Sequence, residues 1–172
     1  MGKNIAVLIT DYFEDVEYTD PVKAYKEAGH SITTIENESG KTVTGKQGDE
    51  KVTIDKAITE VSPQDFDALL LPGGFSPDIL RADERFVAFT KEFADAGKPI
   101  FAICHGPQLL VNADVLKGRT VTGFTSILKD LENAGATVKD EEVVVCGGNL
   151  VTSRTPDDIP AFNRESLKIL DA

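Results

Sequence analysis

Cys104 and His105 stand side by side and are followed by Gly106 and Pro107. An apolar run, residues 99–103, leads into them, and an apolar stretch at helical spacing, residues 106–116, leads away. A cysteine at such a strand-to-helix switch sits on a nucleophile elbow, the turn pushing its sulfur out of the sheet. Unpaired N–H groups at the helix start should lower its thiol pKa. Gly106 allows close backbone approach, and Pro107 suits a first helical turn. A free cysteine is also among the most buried residue types; the His-Gly-Pro that follows favours a nucleophile over packing. Cys146 ends an apolar strand before Gly147-Gly148 and reads as packing or surface.

The chain has only two histidines. His30 enters the second strand at its amino end, the wrong edge for catalysis, and reads as structural. His105 is then the one base for Cys104, and it needs an acid to orient it. A glutaminase that takes its histidine from far down the chain is disfavoured by that count. Gly73-Gly74 can turn a backbone N–H toward the sulfur, and with the His105 N–H it would form an oxyanion hole. Glu14 follows the first strand. Burial and like charge could keep its carboxyl protonated and able to donate to sulfur. Asp11, Asp15 and Glu17 lie close by, and such a cluster reads as a solvated loop.

These residues must be brought together by the elements between them. Residues 5–9, 68–71 and 99–103 are short continuous apolar runs, the signature of strands buried on both faces. Residues 31–35, 120–124, 143–145 and 150–151 read as further strands. Residues 21–28, 84–96, 106–116 and 159–170 have helical spacing, and 40–48 reads as a small hairpin or loop. Alternating strands and helices predict a single α/β domain over 1–172. Its expected form is a doubly wound, mostly parallel sheet with helices on both faces, flavodoxin-like. Function in such sheets gathers at the carboxyl ends of the strands. That places Glu14, the loop from Gly74 to Asp78, and Cys104 at one rim.

The totals narrow the classes. The formal net charge of -11 disfavours nucleic acid and membrane surfaces as partners. Two cysteines in 172 residues make no disulfide framework. There is no signal peptide and no apolar stretch near the roughly 18 residues of a membrane span. A cytoplasmic protein is expected.

The segment 102–108, Ala-Ile-Cys-His-Gly-Pro-Gln, resembles the PfpI family of the class I glutamine-amidotransferase-like superfamily. So do Phe13-Glu14-Asp15-Val16-Glu17, Gly45-Lys46-Gln47-Gly48, Leu71-Pro72-Gly73-Gly74 and Ser153-Arg154-Thr155-Pro156. The resemblance runs almost end to end. It implies Cys104 as nucleophile, His105 as its partner, and Glu14 as the acid on the sulfur. It implies the Gly74 and His105 amides as the oxyanion hole. Asp78 falls where relatives carry a Glu that reaches the histidine from a neighbouring subunit, and is one methylene shorter. Phe124 stands where relatives often carry Tyr. A homodimer or larger oligomer is implied, with no metal and no cofactor. Three activities stay open: a glyoxalase or protein deglycase acting on reactive carbonyls or glycated protein, an intracellular cysteine peptidase, and a redox sensor or chaperone with an oxidisable Cys104.

Overall fold

The computed structural model describes residues 2–172. Its centre is a seven-stranded sheet. The strands are β1 (Asn4–Leu8), β2 (Ser31–Glu36), β5 (Lys56–Ala57), β6 (Ala68–Leu71), β7 (Ile100–Ile103), β10 (Val144–Cys146) and β11 (Leu150–Ser153). They lie in the order β10-β11-β7-β6-β1-β2-β5. Every pairing is parallel except β10 with β11, which the tight turn at 147–149 joins as a hairpin. The strand order reverses between β1 and β6. Connections leave that point in opposite directions and open a crevice at the carboxyl ends.

Burial on both faces explains the apolar runs. Ile5, Val7, Leu70, Phe101 and Ile103 point to one side, with Val22, Tyr25 and Phe162. These come from α1 (Asp15–Glu27) and α6 (Ile159–Leu170). Ala6, Leu8, Leu69, Leu71 and Ala102 point to the other, against Phe86, Phe89, Phe93, Leu109 and Leu110. Those belong to α3 (Glu84–Asp95) and α4 (Gln108–Asn112). A fully buried phenylalanine such as Phe93 or Phe162 contributes about 2–3 kcal/mol. The expected doubly wound α/β architecture is the one observed.

Several boundaries differ. The first helix starts at Asp15 and carries Pro21 inside it, rather than starting at Pro21. The expected strand over 120–124 shortens to β8 (Thr120–Val121), which leaves the main sheet and pairs with β9 (Thr137–Val138). The helix after Cys104 is the five residues of α4 only. Two short helices, α2 (Ser76–Leu80) and α5 (Leu128–Asn133), carry too few apolar residues for the periodicity to show. The loop over 40–48 is a hairpin of β3 (Thr42–Thr44) and β4 (Lys51–Thr53).

Candidate active site

Three loops meet at the carboxyl rim. The segment after β1 and the one after β6 are joined directly: the Glu14 N–H donates to Gly73 O at 3.1 Å, and the Phe75 N–H to Tyr12 O at 2.8 Å. The third, after β7, is the elbow. Its Cys104 has φ 62°, a left-handed conformation costly for a residue with a Cβ. The Cys104 N–H bonds Ser153 O and its carbonyl accepts from the Phe124 N–H, both at 2.9 Å. The elbow is thus clamped from both sides. Gly73 has no room for a side chain, because a Cβ there would collide with the Glu17 carboxyl and the Cys104 Cβ. Gly74 takes φ 78°.

Cys104 is 7% exposed. The backbone N–H groups of Gly74 and His105 lie near enough to its sulfur to draw the thiol pKa down. His105 Nδ1 lies 3.4 Å from the sulfur, and His105 Nε2 lies 3.3 Å from Ser126 Oγ. The Phe124 ring stacks on the imidazole, centroids 4.9 Å apart and planes 28° apart.

The carboxyl against the sulfur belongs to Glu17, not Glu14. Glu17 is fully buried on the first turn of α1. Its Oε1 accepts the Gly73 N–H at 3.0 Å, and its Oε2 has no hydrogen-bond partner. The Cys104 thiol lies near enough to act on the carboxyl. Glu14 stands at the N-cap position of α1 without a capping hydrogen bond, its side chain part-buried at the lip. It pairs with Lys46 Nζ at 2.8 Å and accepts from Gln47 Nε2 at 3.3 Å. The reason is geometric: the helix starts at Asp15, so Glu17 occupies the sheet-facing side and Glu14 the lip. The acidic cluster is not a solvated loop either. Asp15 is buried, and its carboxylate takes the N–H groups of Gln47, Asp49 and Glu50, fixing the hairpin that carries Lys46.

Burial is the main electrostatic force here. It raises Glu17 to about 8, with the Glu14 charge adding to the effect. Glu17 is therefore protonated at neutral pH and can donate to sulfur. Burial also pushes the Cys104 thiol up, and the Glu17 charge acts in the same direction. The Gly74 and His105 amides and Lys46 pull it back. The expected lowering of the thiol is present as donors but is opposed by desolvation. Thiol and carboxyl together hold at most one negative charge at neutral pH. Burial and Lys46 lower the His105 pKa, against Asp78, so the imidazole is neutral.

Asp78 lies on α2, exposed, and its charge reaches His105 without a hydrogen bond to it. His30 is structural, as expected: Nδ1 accepts the Lys3 N–H at 3.0 Å and Nε2 meets Asp171 at 2.8 Å. Cys146 is half-buried at the opposite rim, its sulfur taking Arg119 Nε at 3.2 Å and the Thr120 N–H at 3.3 Å. Among the described residues, no three His, Cys, Asp or Glu side chains gather as a metal site. Nor, among those residues, is any helix long and apolar enough to cross a membrane.

A mostly parallel α/β sheet with a strained cysteine, a buried acid and two backbone amides near its sulfur defines a cysteine-centred rim of one recurring kind. The DJ-1/PfpI family model matches residues 3–169, and the chain belongs to that family. General stress protein 18 of Bacillus subtilis is 68% identical over 171 residues, covering 99% of each chain. Protein/nucleic acid deglycase 2 of Escherichia coli is 62% identical over the full length of both. A two-domain Anabaena variabilis protein with DJ-1/ThiJ/PfpI-like and ferritin-like domains superposes at TM-score 0.95 and 39% identity. That match covers 98% of this chain and 48% of the other. The expectation that nucleic acid is no partner finds no support in the name of the E. coli relative.

Proposed function

We propose that this protein is a cysteine-dependent enzyme acting on reactive carbonyls, methylglyoxal or its adducts on protein, in a stress-protective role. One observation carries the reading: at the strained elbow the Cys104 sulfur has the His105 imidazole at 3.4 Å, with the fully buried Glu17 carboxyl and the Gly74 and His105 amides around it. Such a set adds sulfur to a small aldehyde and moves protons around it. The names of the B. subtilis and E. coli relatives support the stress and deglycase parts.

In the reaction, the Cys104 sulfur bonds the aldehyde carbon and its proton passes to the neighbouring base. The carbonyl oxygen turns toward the Gly74 and His105 amides and takes a proton, giving a hemithioacetal. Glu17 and His105 then carry the proton from the first carbon to the second, while the hydroxyl proton on the first oxygen passes to the second oxygen, giving a lactate thioester. Water cleaves the thioester, releasing lactate and the free thiol. The sum is methylglyoxal plus water to lactate, with no external oxidant or reductant. The low exposure of Cys104 favours such small substrates over folded polypeptide, which counts against a peptidase. Tyr12, Phe75 and Ile79 are exposed beside Asp78, which supports an oligomer that covers this rim.

The test is methylglyoxal consumption with lactate detection by wild type and Cys104→Ala. Turnover that requires Cys104 is expected. No turnover by folded, reduced wild type would overturn the reading.

A further inference from the structure

We propose that Ser126 is a positioning residue for His105, holding the imidazole edge-on to the Cys104 sulfur and hydrogen-bonding Nε2 whichever ring nitrogen carries the proton. The inference rests on the reading of Cys104 as nucleophile and His105 as its proton partner.

The ring has two nitrogens and each faces one partner. Nδ1 faces the Cys104 sulfur at 3.4 Å and Nε2 faces the Ser126 hydroxyl at 3.3 Å. A hydroxyl both donates and accepts. It donates to Nε2 when the proton sits on Nδ1, and accepts from Nε2 when the proton has moved there. Both neutral forms of His105 are thereby hydrogen-bonded, and so is the imidazolium formed when His105 takes a proton from the sulfur or substrate. An aspartate in this place would favour the Nε2–H form and the cation. The serine bonds both neutral tautomers and carries no charge of its own, which suits a group that must both take and return a proton.

The placement is built, not incidental. Ser126 sits in a single 3-10 turn, Thr125–Ile127, closed by the Ile127 N–H on Phe124 O at 3.0 Å. The Phe124 N–H bonds the carbonyl of Cys104 itself. At the other end, Ile127 is buried in the core. The turn is thus anchored to the backbone of the nucleophile at one side and to the core at the other. Gly123 packs so closely that a Cβ there would stand 3.3 Å from Cys104 O. Phe124 covers one ring face, and Ser126 pins the edge, so the ring's two rotations are both restrained.

The charged and titratable groups around His105 are few. Lys46 approaches from the β3–β4 hairpin and Asp78 from α2. The Cys104 thiol lies across from Nδ1, with Glu17 behind it. Phe124 and Ser126 bring no charge, so loss of the hydroxyl changes hydrogen bonding without changing the field.

The experiment compares wild type, Ser126→Ala and Ser126→Thr. It reads kcat and KM for methylglyoxal, and the pH profile of Cys104 alkylation by iodoacetamide followed on the Cys104 peptide. Thermal melting of all three checks that the exposed turn tolerates the changes. In Ser126→Ala the loss of one hydrogen bond lowers kcat about fivefold, with KM within about twofold. The His105-dependent inflection of the alkylation profile moves to lower pH by about half a unit, because the lost bond is stronger to the charged imidazolium than to the neutral ring. Ser126→Thr restores both. If wild type fails to consume methylglyoxal while the profile shifts in Ser126→Ala and returns in Ser126→Thr, the substrate reading falls and this inference stands. Coincident profiles in all three proteins overturn it, as does a fall in kcat that the threonine does not recover.

Discussion

The two cysteines stand at opposite ends of the same sheet and differ in almost every physical respect. Cys104 follows β7 at the carboxyl rim, in a left-handed conformation, buried, its thiol pushed up by desolvation. Cys146 ends β10 beside Leu150, level with the start of β7, half-buried in regular strand backbone. Burial is the largest single influence on the Cys146 thiol and raises it, but the Thr120 N–H and the Arg119 guanidinium together outweigh it and lower its pKa. By ease of ionisation alone, Cys146 would be the better nucleophile. What surrounds Cys104 instead is the set the proposed reaction needs: two nearby backbone amides, an imidazole and a buried carboxyl. The comparison teaches that a stabilised thiolate alone does not make a catalytic site.

The largest expected effect separates the two sulfurs outright. Cys104→Ala lowers turnover at least about 10⁴-fold. Cys146→Ala leaves turnover unchanged, measured on the same carbonyl substrate. A loss shared equally by both variants would erase the distinction.

The second sharpens the electrostatic contrast. The folded pKa of Glu17 is raised from 4.5 to about 8, so the fold favours its neutral form. Stability from this group is fully present below about 4.5 and is lost as pH rises through about 8. The loss is on the order of 4 kcal/mol for so deeply buried a group. Glu17→Gln cannot ionise, and its melting temperature should stay level between pH 5 and 9 where that of wild type falls. Parallel curves would mean that Glu17 is already charged in the folded protein.

The smallest effect concerns Cys146. Arg119→Gln removes the cation beside the sulfur and should slow Cys146 alkylation at pH 7.5 about threefold. Carbonyl turnover should not change. Peptide-resolved mass spectrometry with iodoacetamide measures the first, and faster alkylation of Cys146 in the variant would contradict it.

Much of this was legible in the sequence, and for identifiable reasons. Strands buried on both faces leave unbroken apolar runs, so 5–9, 68–71 and 99–103 could be placed to within a residue or so. The closing helix, Ile159–Leu170, was legible at both ends because its apolar stripe is regular. The elbow at Cys104 was legible because Gly106 and Pro107 mark the turn. The acid was not. Taking Pro21 as a helix start put Glu17 in a loop, among other acids that hid it. Yet Glu17, Pro21 and Tyr25 recur every four residues and are all buried. Extending the helix back from Val22 and Tyr25 places a glutamate on its apolar face, and a charge there is the missed signal. Ser126 carries no sequence signal, since its role depends on a turn that returns to Cys104 from a remote part of the chain.

The most direct test of the account sets Glu17→Gln against Glu14→Gln in lactate formation from methylglyoxal near pH 7. The geometry predicts a loss of about 10²-fold or more for Glu17→Gln, which keeps the shape and removes the movable proton. It predicts a rate within about threefold of wild type for Glu14→Gln, which only weakens the Lys46 pair at the lip. The reverse pattern, with Glu14→Gln inactive and Glu17→Gln near wild type, would contradict the placement of the acid and with it the mechanism.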